Sequence, residues 1–144
     1  MPPKTTEEAL NEMRNKKLGD VKVLLVEDDN FIADLVLTKL VADGCIPYRT
    51  DDGKDALDFA TQYEPDVIIL DLMLPTVQGE EVLKQLKAHD TLKMIPVVIF
   101  SNKDQQVDID ANIAAGAARF MVKSATDLND LVAVVKELAK VIIK

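Results

Sequence analysis

Residues 67–75, VIILDLMLP, place four branched apolar residues directly before an aspartate, with a proline four positions after it. The run VIIL (67–70) is short and β-branched, which favours a strand that is buried on both faces of a sheet. A carboxylate beside such a strand is costly to bury unless another group pairs with it. Asp71 is therefore a candidate functional residue, and we expect its partners at the ends of neighbouring strands.

Short apolar runs alternate with helical patterns on both sides of this stretch. Four further strands are predicted: VKVLLV (21–26), IPY (46–48), PVVIF (96–100) and RFMV (119–122). IPY is expected at an edge of the sheet, because Pro47 lacks an N–H group. A helical pattern follows each strand. The first runs from EDDN (27–30) to Gly44, and the second is GKDALDFATQY (53–63). The third ends near His89, the fourth covers residues 105–115, and the fifth is the last helix. Five β-then-α units predict a doubly wound α/β domain, with a five-stranded parallel sheet flanked by helices.

The last helix is predicted from apolar residues at spacings of three and four, between Leu128 and Ile142. Ser124 and Thr126 are its candidate N-caps, and Asp127 falls in its first turn. Residues 1–20 are expected to stand outside the domain of residues 21–144, as an extension or linker with a short helix as one alternative.

Composition limits the classes of function. The 144 residues are 48% hydrophobic and 29% charged, which fits one packed domain. No apolar run approaches the roughly 20 residues of a membrane span, and the N-terminus lacks the apolar core of a secretory signal. Cys45 is the one cysteine, so a disulfide within the chain or a thiolate zinc site is excluded. We expect a cytoplasmic protein with no membrane partner, and its net charge of -8 argues against nucleic-acid binding.

Polar residues follow four of the five strands. Because ligands of such sheets bind beyond the carboxyl ends of the strands, these residues are expected at one rim. They are Glu27, Asp28 and Asp29 after the first strand, Asp71 after the third, Ser101 after the fourth and Lys123 after the fifth. Each of these residues also has a purely structural explanation. Acids and hydroxyls commonly cap helices, and a lysine at the end of a strand is commonly exposed to solvent. Those alternatives do not explain the joint placement, although helix capping remains the expected role of Asp29.

Clustered carboxylates repel one another, and a hard divalent cation removes that cost. Mg²⁺, with Mn²⁺ as a second candidate, takes oxygen ligands and is typically held by one or two carboxylates. A single cysteine and a single histidine, His89, make a zinc or copper site implausible. Beside such a cation Asp71 is a candidate nucleophile for phosphorus, with Lys123 offsetting charge and Ser101 donating a hydrogen bond.

These residues resemble the receiver domain of two-component response regulators, over about residues 21–143. The matching segments are VLLVEDD, DVIILDLMLPTVQG, PVVIFS and AAGAARFMVKS, with Asp71, Pro75 and Gly79 at the family's spacing. The resemblance implies a flavodoxin-like fold with strand order 2-1-3-4-5, of the stand-alone kind similar to chemotaxis regulators.

The resemblance implies a role for each rim residue. Asp71 would be the phospho-acceptor, Asp28 the direct metal ligand and Glu27 a ligand through water. Met73 would bind the metal through its backbone carbonyl, so that its side chain is free to vary.

Five residues would bind the phosphoryl group, respond to it or tune its lifetime. Ser101 would be the switch hydroxyl, Lys123 the phosphate-binding ammonium, and Phe120 the aromatic ring that swings inward when the hydroxyl moves. Met73 and Lys103 would tune the phosphoryl lifetime, the first by excluding water and the second by ion pairing.

The sequence departs from the family pattern at Ser124, where a proline after a cis peptide is usual. A cis bond before a non-proline residue costs roughly 2.5–4 kcal/mol. The Lys123–Ser124 peptide is therefore either trans, with a rearranged loop, or strained. Phe120 also lacks the hydroxyl that some members carry as tyrosine, so its switch would depend on packing alone.

The implied function is a phosphorylation-dependent switch rather than a turnover enzyme. A histidine kinase or phosphotransfer protein would donate the phosphoryl group, and the receiver would assist its own phosphorylation and dephosphorylation. The fourth helix, fifth strand and last helix would then bind a downstream protein. No DNA-binding or catalytic domain follows within the 144 residues, so we expect the output from another protein or from parts outside this sequence.

Three rival functions were weighed. A Mg²⁺-dependent phosphohydrolase is disfavoured, because Met73 stands where a second acid is expected. A flavin-binding electron carrier is disfavoured, because EDDN would repel phosphate. A receiver-like module without phosphorylation is kept open by Ser124.

Overall fold

The computed structural model describes residues 21–140, so the expected N-terminal extension and Ile142, the last residue of the predicted apolar pattern, lie outside the described residues. The strands are β1 (Lys22–Val26), β2 (Ile46–Thr50), β3 (Val67–Leu70), β4 (Val97–Ser101) and β5 (Arg119–Val122). The helices are α1 (Asn30–Ala42), α2 (Ala56–Tyr63), α3 (Gly79–Ala88), α4 (Gln106–Ala114) and α5 (Leu128–Leu138), with 3₁₀ turns at Gly53–Asp55 and Lys123–Ala125. Within the described part, no helix has the length and apolarity needed to cross a membrane.

The five strands form one parallel sheet in the order β2-β1-β3-β4-β5, which confirms the predicted fold. Strand β2 lies at an edge as predicted, where the missing N–H of Pro47 is tolerated. It is longer than IPY suggests and pairs with β1 from Ile46 to Thr50. The pairing brings the carboxyl ends of β1 and β3, the two central strands, side by side.

Two apolar layers explain why VIIL carries no polar residue. Val67 and Ile69 pack on one face of the sheet in a cluster that includes side chains of α1 and α5. Ile68 and Leu70 pack on the other face in a cluster that includes side chains of α2 and α3. Because both faces are covered, all four residues are buried and alternation with polar residues is lost.

The N-cap of the last helix differs from the prediction. Asp127 caps α5, and its side chain accepts a hydrogen bond of 2.7 Å from the Asn129 backbone N–H. Thr126 is unsuited to this role because its hydroxyl donates to the Val122 carbonyl, and Ser124 lies in the 3₁₀ turn. The prediction for α1 is confirmed, since Asp29 caps it by accepting from the Ile32 N–H.

Candidate functional site

The backbone ladder places the acidic residues at the rim of the sheet. The Asp71 N–H donates to the Val26 carbonyl at 3.0 Å, which extends the pairing of β3 with β1 by one residue. The Glu27 N–H donates in the same way to Thr50 at 3.1 Å. Carboxylate oxygens of Glu27, Asp28 and Asp71 consequently all lie within 4.8 Å of one another. Glu27 and Asp71 are buried, while Asp28 is exposed.

Lys123 provides the partner that a carboxylate at the end of β3 requires. Its Nζ lies 2.8 Å from Asp71 Oδ2 and 2.5 Å from Glu27 Oε1, and its side chain is only 10% exposed. The ammonium also lies 5.9 Å from the centre of the Phe100 ring, within the range of a cation–π contact. The other oxygen of Asp71, Oδ1, accepts a hydrogen bond of 3.1 Å from the Met73 N–H.

Burial and charge shift two pKa values in this cluster. Burial raises the pKa of the Glu27 carboxyl, Lys123 opposes the rise and Asp71 adds to it, so that the pKa reaches about 7. Burial acts to lower the pKa of the Lys123 ammonium, but its bonds to Asp71 and Glu27 outweigh burial and raise that pKa above its usual value. The cluster thus sets one ammonium beside three carboxyl groups, of which Glu27 holds its proton to a higher pH than usual.

The donor set fits a small hard cation. Glu27 Oε1 is buried, and its partner is the Lys123 ammonium at 2.5 Å. All three side chains of the group are carboxylates, which are preferred ligands of Mg²⁺ and Mn²⁺. A divalent cation beside these three carboxylates would offset the repulsion among them that one ammonium does not balance.

The remaining predicted site residues lie on β3–β5 and the segments that follow them. Ser101 is fully buried, and its Oγ accepts a hydrogen bond of 3.3 Å from the Lys103 N–H. Phe120 is half-buried and packs against the apolar cluster on the α2 and α3 face. Met73 is 60% exposed at the rim.

Lys103 forms ion pairs with acidic residues on the helices that follow β3 and β4. Its Nζ lies 2.8 Å from Glu80 Oε2 in the first turn of α3 and 3.8 Å from Asp108 Oδ1. The bond to Glu80, followed by the nearby charge of Asp108, raises the pKa of Lys103. A group on Asp71 would have to compete with these two acids for the Lys103 ammonium.

The Lys123–Ser124 peptide is trans, because no cis peptide bond occurs in residues 21–140. This outcome selects the rearranged loop of the two alternatives. Lys123 begins the 3₁₀ turn and still reaches Asp71 and Glu27. The missing proline therefore does not displace the lysine from the rim.

Two rim contacts were missed by sequence reasoning. Arg49 donates from Nε and Nη2 to the Glu27 carbonyl at 3.1 and 2.8 Å, and from Nη2 to Asn30 Oδ1 at 3.0 Å. Asn102 Oδ1 accepts from the Ser124 N–H at 2.9 Å. Arg49 could have been noticed as a cation near the end of the strand beside β1. Nothing in the sequence indicates that Asn102 accepts a hydrogen bond from Ser124.

Glu27 leads to a prediction about pH in metal-free protein. Its pKa is about 7 in the folded chain against 4.5 ordinarily, so between these values the folded state holds a proton that the unfolded state has lost. The proton on Glu27 therefore contributes fully to the free energy of unfolding below pH 4.5, and this contribution is lost as pH rises through 7. From pH 5 to pH 7 the wild type should lose about 2 kcal/mol relative to Glu27→Gln, measured by urea unfolding in EDTA. Glu81→Gln, at an exposed position of α3, is the control, and a constant difference across pH would refute the expectation.

Comparison with known proteins agrees with the resemblance that the motifs indicate. The family model described as the response regulator receiver domain matches residues 23–136. The Francisella response regulator 1452 receiver domain is 30% identical, with 84% of this chain and 98% of that chain covered and a TM-score of 0.78. The phosphorylated cyanobacterial phytochrome response regulator RcpA is 33% identical, with coverage of 82% and 90% and a TM-score of 0.70. The Mn²⁺-bound form of response regulator Rcp1 is 32% identical, with coverage of 83% and 91% and a TM-score of 0.70.

Proposed function

The chain belongs to the response regulator receiver domain family of two-component signalling, and from this membership we propose that it is a phosphorylation-dependent switch with Asp71 as phospho-acceptor. The observation that carries the proposal is the Lys123 ammonium held between Asp71 and Glu27, at 2.8 and 2.5 Å, within a group of three carboxylates. An isolated helix cap needs neither the buried lysine nor the second buried acid. The group instead suits a reaction that brings further negative charge to Asp71.

The proposed reaction moves a phosphoryl group from a phosphohistidine to Asp71. A carboxylate oxygen of Asp71 attacks phosphorus, the new O–P bond forms, the P–N bond breaks, and the electron pair leaves with the imidazole of the donor. Lys123 then pairs with the oxygens of the transferred group, and Ser101 donates a hydrogen bond to one of them. Asp71 is 5% exposed, so the donor reaches it from the rim of the sheet.

A divalent cation belongs to this proposal as Mg²⁺, with Mn²⁺ as the second candidate. Asp28 and Asp71 would hold it directly with the Met73 backbone carbonyl, and Glu27 would act through water. When bound, the cation offsets charge on the phosphoryl oxygens. The relative Rcp1 was solved in a Mn²⁺-bound form, which supports the choice of ion.

The proposed output surface consists of α4, β5 and α5. When Ser101 moves toward the phosphoryl group, Phe120 on β5 follows, and the affinity of this surface for a downstream protein changes. Helix α4 suits such a role because Asn112 is its one buried residue, whereas Val107 is 74% and Ile113 46% exposed. The proposed phosphoryl donor is a histidine kinase or phosphotransfer protein. We place both the phosphoryl transfer and the binding of the downstream protein in the cytoplasm.

The experiment that tests the proposal is labelling with acetyl phosphate in the presence and absence of Mg²⁺. The wild type should gain one phosphoryl mass in a reaction that needs Mg²⁺, and Asp71→Asn should gain none. This substitution keeps the shape of the side chain and removes the nucleophile. A mass gain in the variant, or none in the wild type, would contradict the proposal.

Met73 is proposed to lengthen the lifetime of the phosphorylated state. Its exposed side chain stands two residues after Asp71 and offers no group that orients or activates water. The same property argues against a phosphohydrolase, which needs a second acid there.

Met73→Asn should shorten the phosphorylated lifetime about fivefold, the equivalent of one net hydrogen bond to the attacking water. The measurement is the loss of phosphoryl mass with time after the phosphodonor is removed. Met94→Asn is the control, since Met94 is 80% exposed in the segment between α3 and β4. An unchanged lifetime in Met73→Asn would count against shielding by Met73.

Lys103 is proposed to tune the lifetime of the phosphorylated state by pairing either with Glu80 or with the phosphoryl group on Asp71. In the structure its ammonium is bound to Glu80, and phosphorylation of Asp71 would offer a second anion. Exposed ion pairs contribute little to stability, so the exchange of one partner for the other costs little.

A further inference from the structure

Two segments of the rim are joined by a side chain that the proposed chemistry does not use. Asn102 directly follows Ser101, and its Oδ1 accepts a hydrogen bond of 2.9 Å from the Ser124 N–H. Ser124 directly follows Lys123 in the 3₁₀ turn. The bond therefore joins the residue after the proposed switch hydroxyl to the residue after the proposed phosphate-binding lysine.

This bond requires a residue other than proline at position 124, because proline has no backbone N–H. The peptide between Lys123 and Ser124 is trans, and the turn that it enters is only three residues long. A three-residue turn offers few internal hydrogen bonds of its own. Here the Thr126 N–H donates to the Lys123 carbonyl at 3.4 Å, a long contact.

Lys123 depends on accurate placement of its backbone. Its ammonium must reach Asp71 and Glu27 together, at the end of a side chain with four rotatable bonds. Strand β5 lies at the edge of the sheet, so β4 alone supports it by strand pairing. The last pair of that ladder is Ser101 with Val122, and the contact between Asn102 and Ser124 continues the connection beyond it.

We propose that Asn102 is a positioning residue for Lys123, which it serves by fixing the Ser124 N–H and hence the turn that carries the ammonium. The inference rests on the proposed function for its effect on phosphorylation, but the placement of Lys123 can be measured separately. Asn102 touches neither Asp71 nor the transferred group in this assignment. It acts through the backbone of Lys123.

The first test observes Lys123 directly, in protein without a phosphodonor. The two ε-methylene protons of Lys123 should have separate NMR shifts in the wild type, because the side chain is held in one arrangement. They should merge in Asn102→Ala and stay separate in Asn102→Asp, which keeps an acceptor oxygen. Separate signals in Asn102→Ala, or merged signals in Asn102→Asp, would overturn the proposal whatever the labelling experiment shows.

The second test measures the rate of labelling by acetyl phosphate with Mg²⁺. Asn102→Ala should lower the maximal rate about fivefold, as expected for one lost hydrogen bond, with little change in the half-saturating concentration. Asn102→Asp should restore most of the rate, and Ser124→Ala, which keeps its N–H, should label like the wild type. An Asn102→Ala variant at the wild-type rate would refute the effect on phosphorylation.

A double variant separates this bond from a general loss of structure. Ser124→Pro removes the donor, so adding Asn102→Ala to it should slow labelling no further. Additive losses would mean that Asn102 acts by another route, against the proposal. A wild type that is not labelled at all would refute the proposed function, while the NMR result would still decide the placement of Lys123.

Discussion

Lys123→Met is expected to slow labelling of Asp71 by acetyl phosphate about 100-fold, the usual cost of removing one fixed group that stabilises charge in a transition state. Methionine has a similar length but no charge. The substitution leaves Asp71 Oδ2 and Glu27 Oε1 without the ammonium that lies 2.8 and 2.5 Å from them. It also leaves the oxygens of the incoming phosphoryl group without their protein cation. The measurement is the single-turnover rate at saturating Mg²⁺ and acetyl phosphate.

The matched control is Lys84→Met, which removes the same charge from an exposed position of α3. It should label at the wild-type rate, because the lost charge is screened by solvent. Circular dichroism of both variants establishes that they are folded under the conditions of labelling. A Lys123→Met rate within a few-fold of the wild type would show that the ammonium has no part in phosphoryl transfer.

Gly79→Ala is expected to reduce the free energy of unfolding by about 3 kcal/mol, at the upper end of the range for overpacked sites. A Cβ at this position would lie 2.2 Å from the Asp71 carbonyl oxygen and 2.5 Å from the Leu72 Cα. Both atoms belong to the backbone, so no side-chain rotation relieves the clash. Gly79 is buried at the start of α3, and its N–H donates to the Leu72 carbonyl at 2.9 Å. The glycine eight positions after Asp71 thus allows α3 to start against the backbone of Asp71 and Leu72.

The control for this substitution is Gly44→Ala, at the turn between α1 and β2. Gly44 has a φ of 88°, so alanine there should cost only about 1–2 kcal/mol of left-handed backbone strain. Urea unfolding at pH 8 with Mg²⁺ measures both variants, and acetyl phosphate labelling should be impaired in Gly79→Ala alone. A Gly79→Ala variant as stable as Gly44→Ala would contradict the steric account.

The fold was predictable because its three inner strands, β1, β3 and β4, are short apolar runs that both layers of helices bury. VIIL and PVVIF identify β3 and β4 by composition alone, and the edge position of β2 follows from Pro47. Periodicity cannot state which strands are neighbours, and the order 2-1-3-4-5 came from the family resemblance. Once that order is given, the carboxyl ends of β1 and β3 must lie side by side.

The contacts of long side chains were harder to predict. Lys103 was expected to face the phosphoryl group because it lies two residues after Ser101. That spacing does not reveal that its ammonium binds Glu80, which lies 23 residues away in the sequence. The N-cap of α5 was also misjudged, because Thr126 and Asp127 can both cap a helix and the bond from Thr126 to the Val122 carbonyl, which engages the threonine hydroxyl, is not visible in the sequence. Which partner a side chain binds depends on distances between segments in the folded chain. Residue propensities and sequence spacing do not give those distances.

Folding brings Glu27, Asp28 and Asp71 within 4.8 Å of one another beside Lys123, and we propose that they hold one divalent cation there. The most direct measurement is the broadening of backbone amide NMR signals by substoichiometric Mn²⁺, whose unpaired electrons act only over short distances. We predict that the signals of residues 27–29 and 71–73 broaden first and together, and that excess Mg²⁺ restores them. Broadening that is strongest at acidic residues of the opposite edge of the sheet, such as Asp43 before β2 and Glu64 before β3, or that leaves residues 71–73 unaffected, would contradict the account.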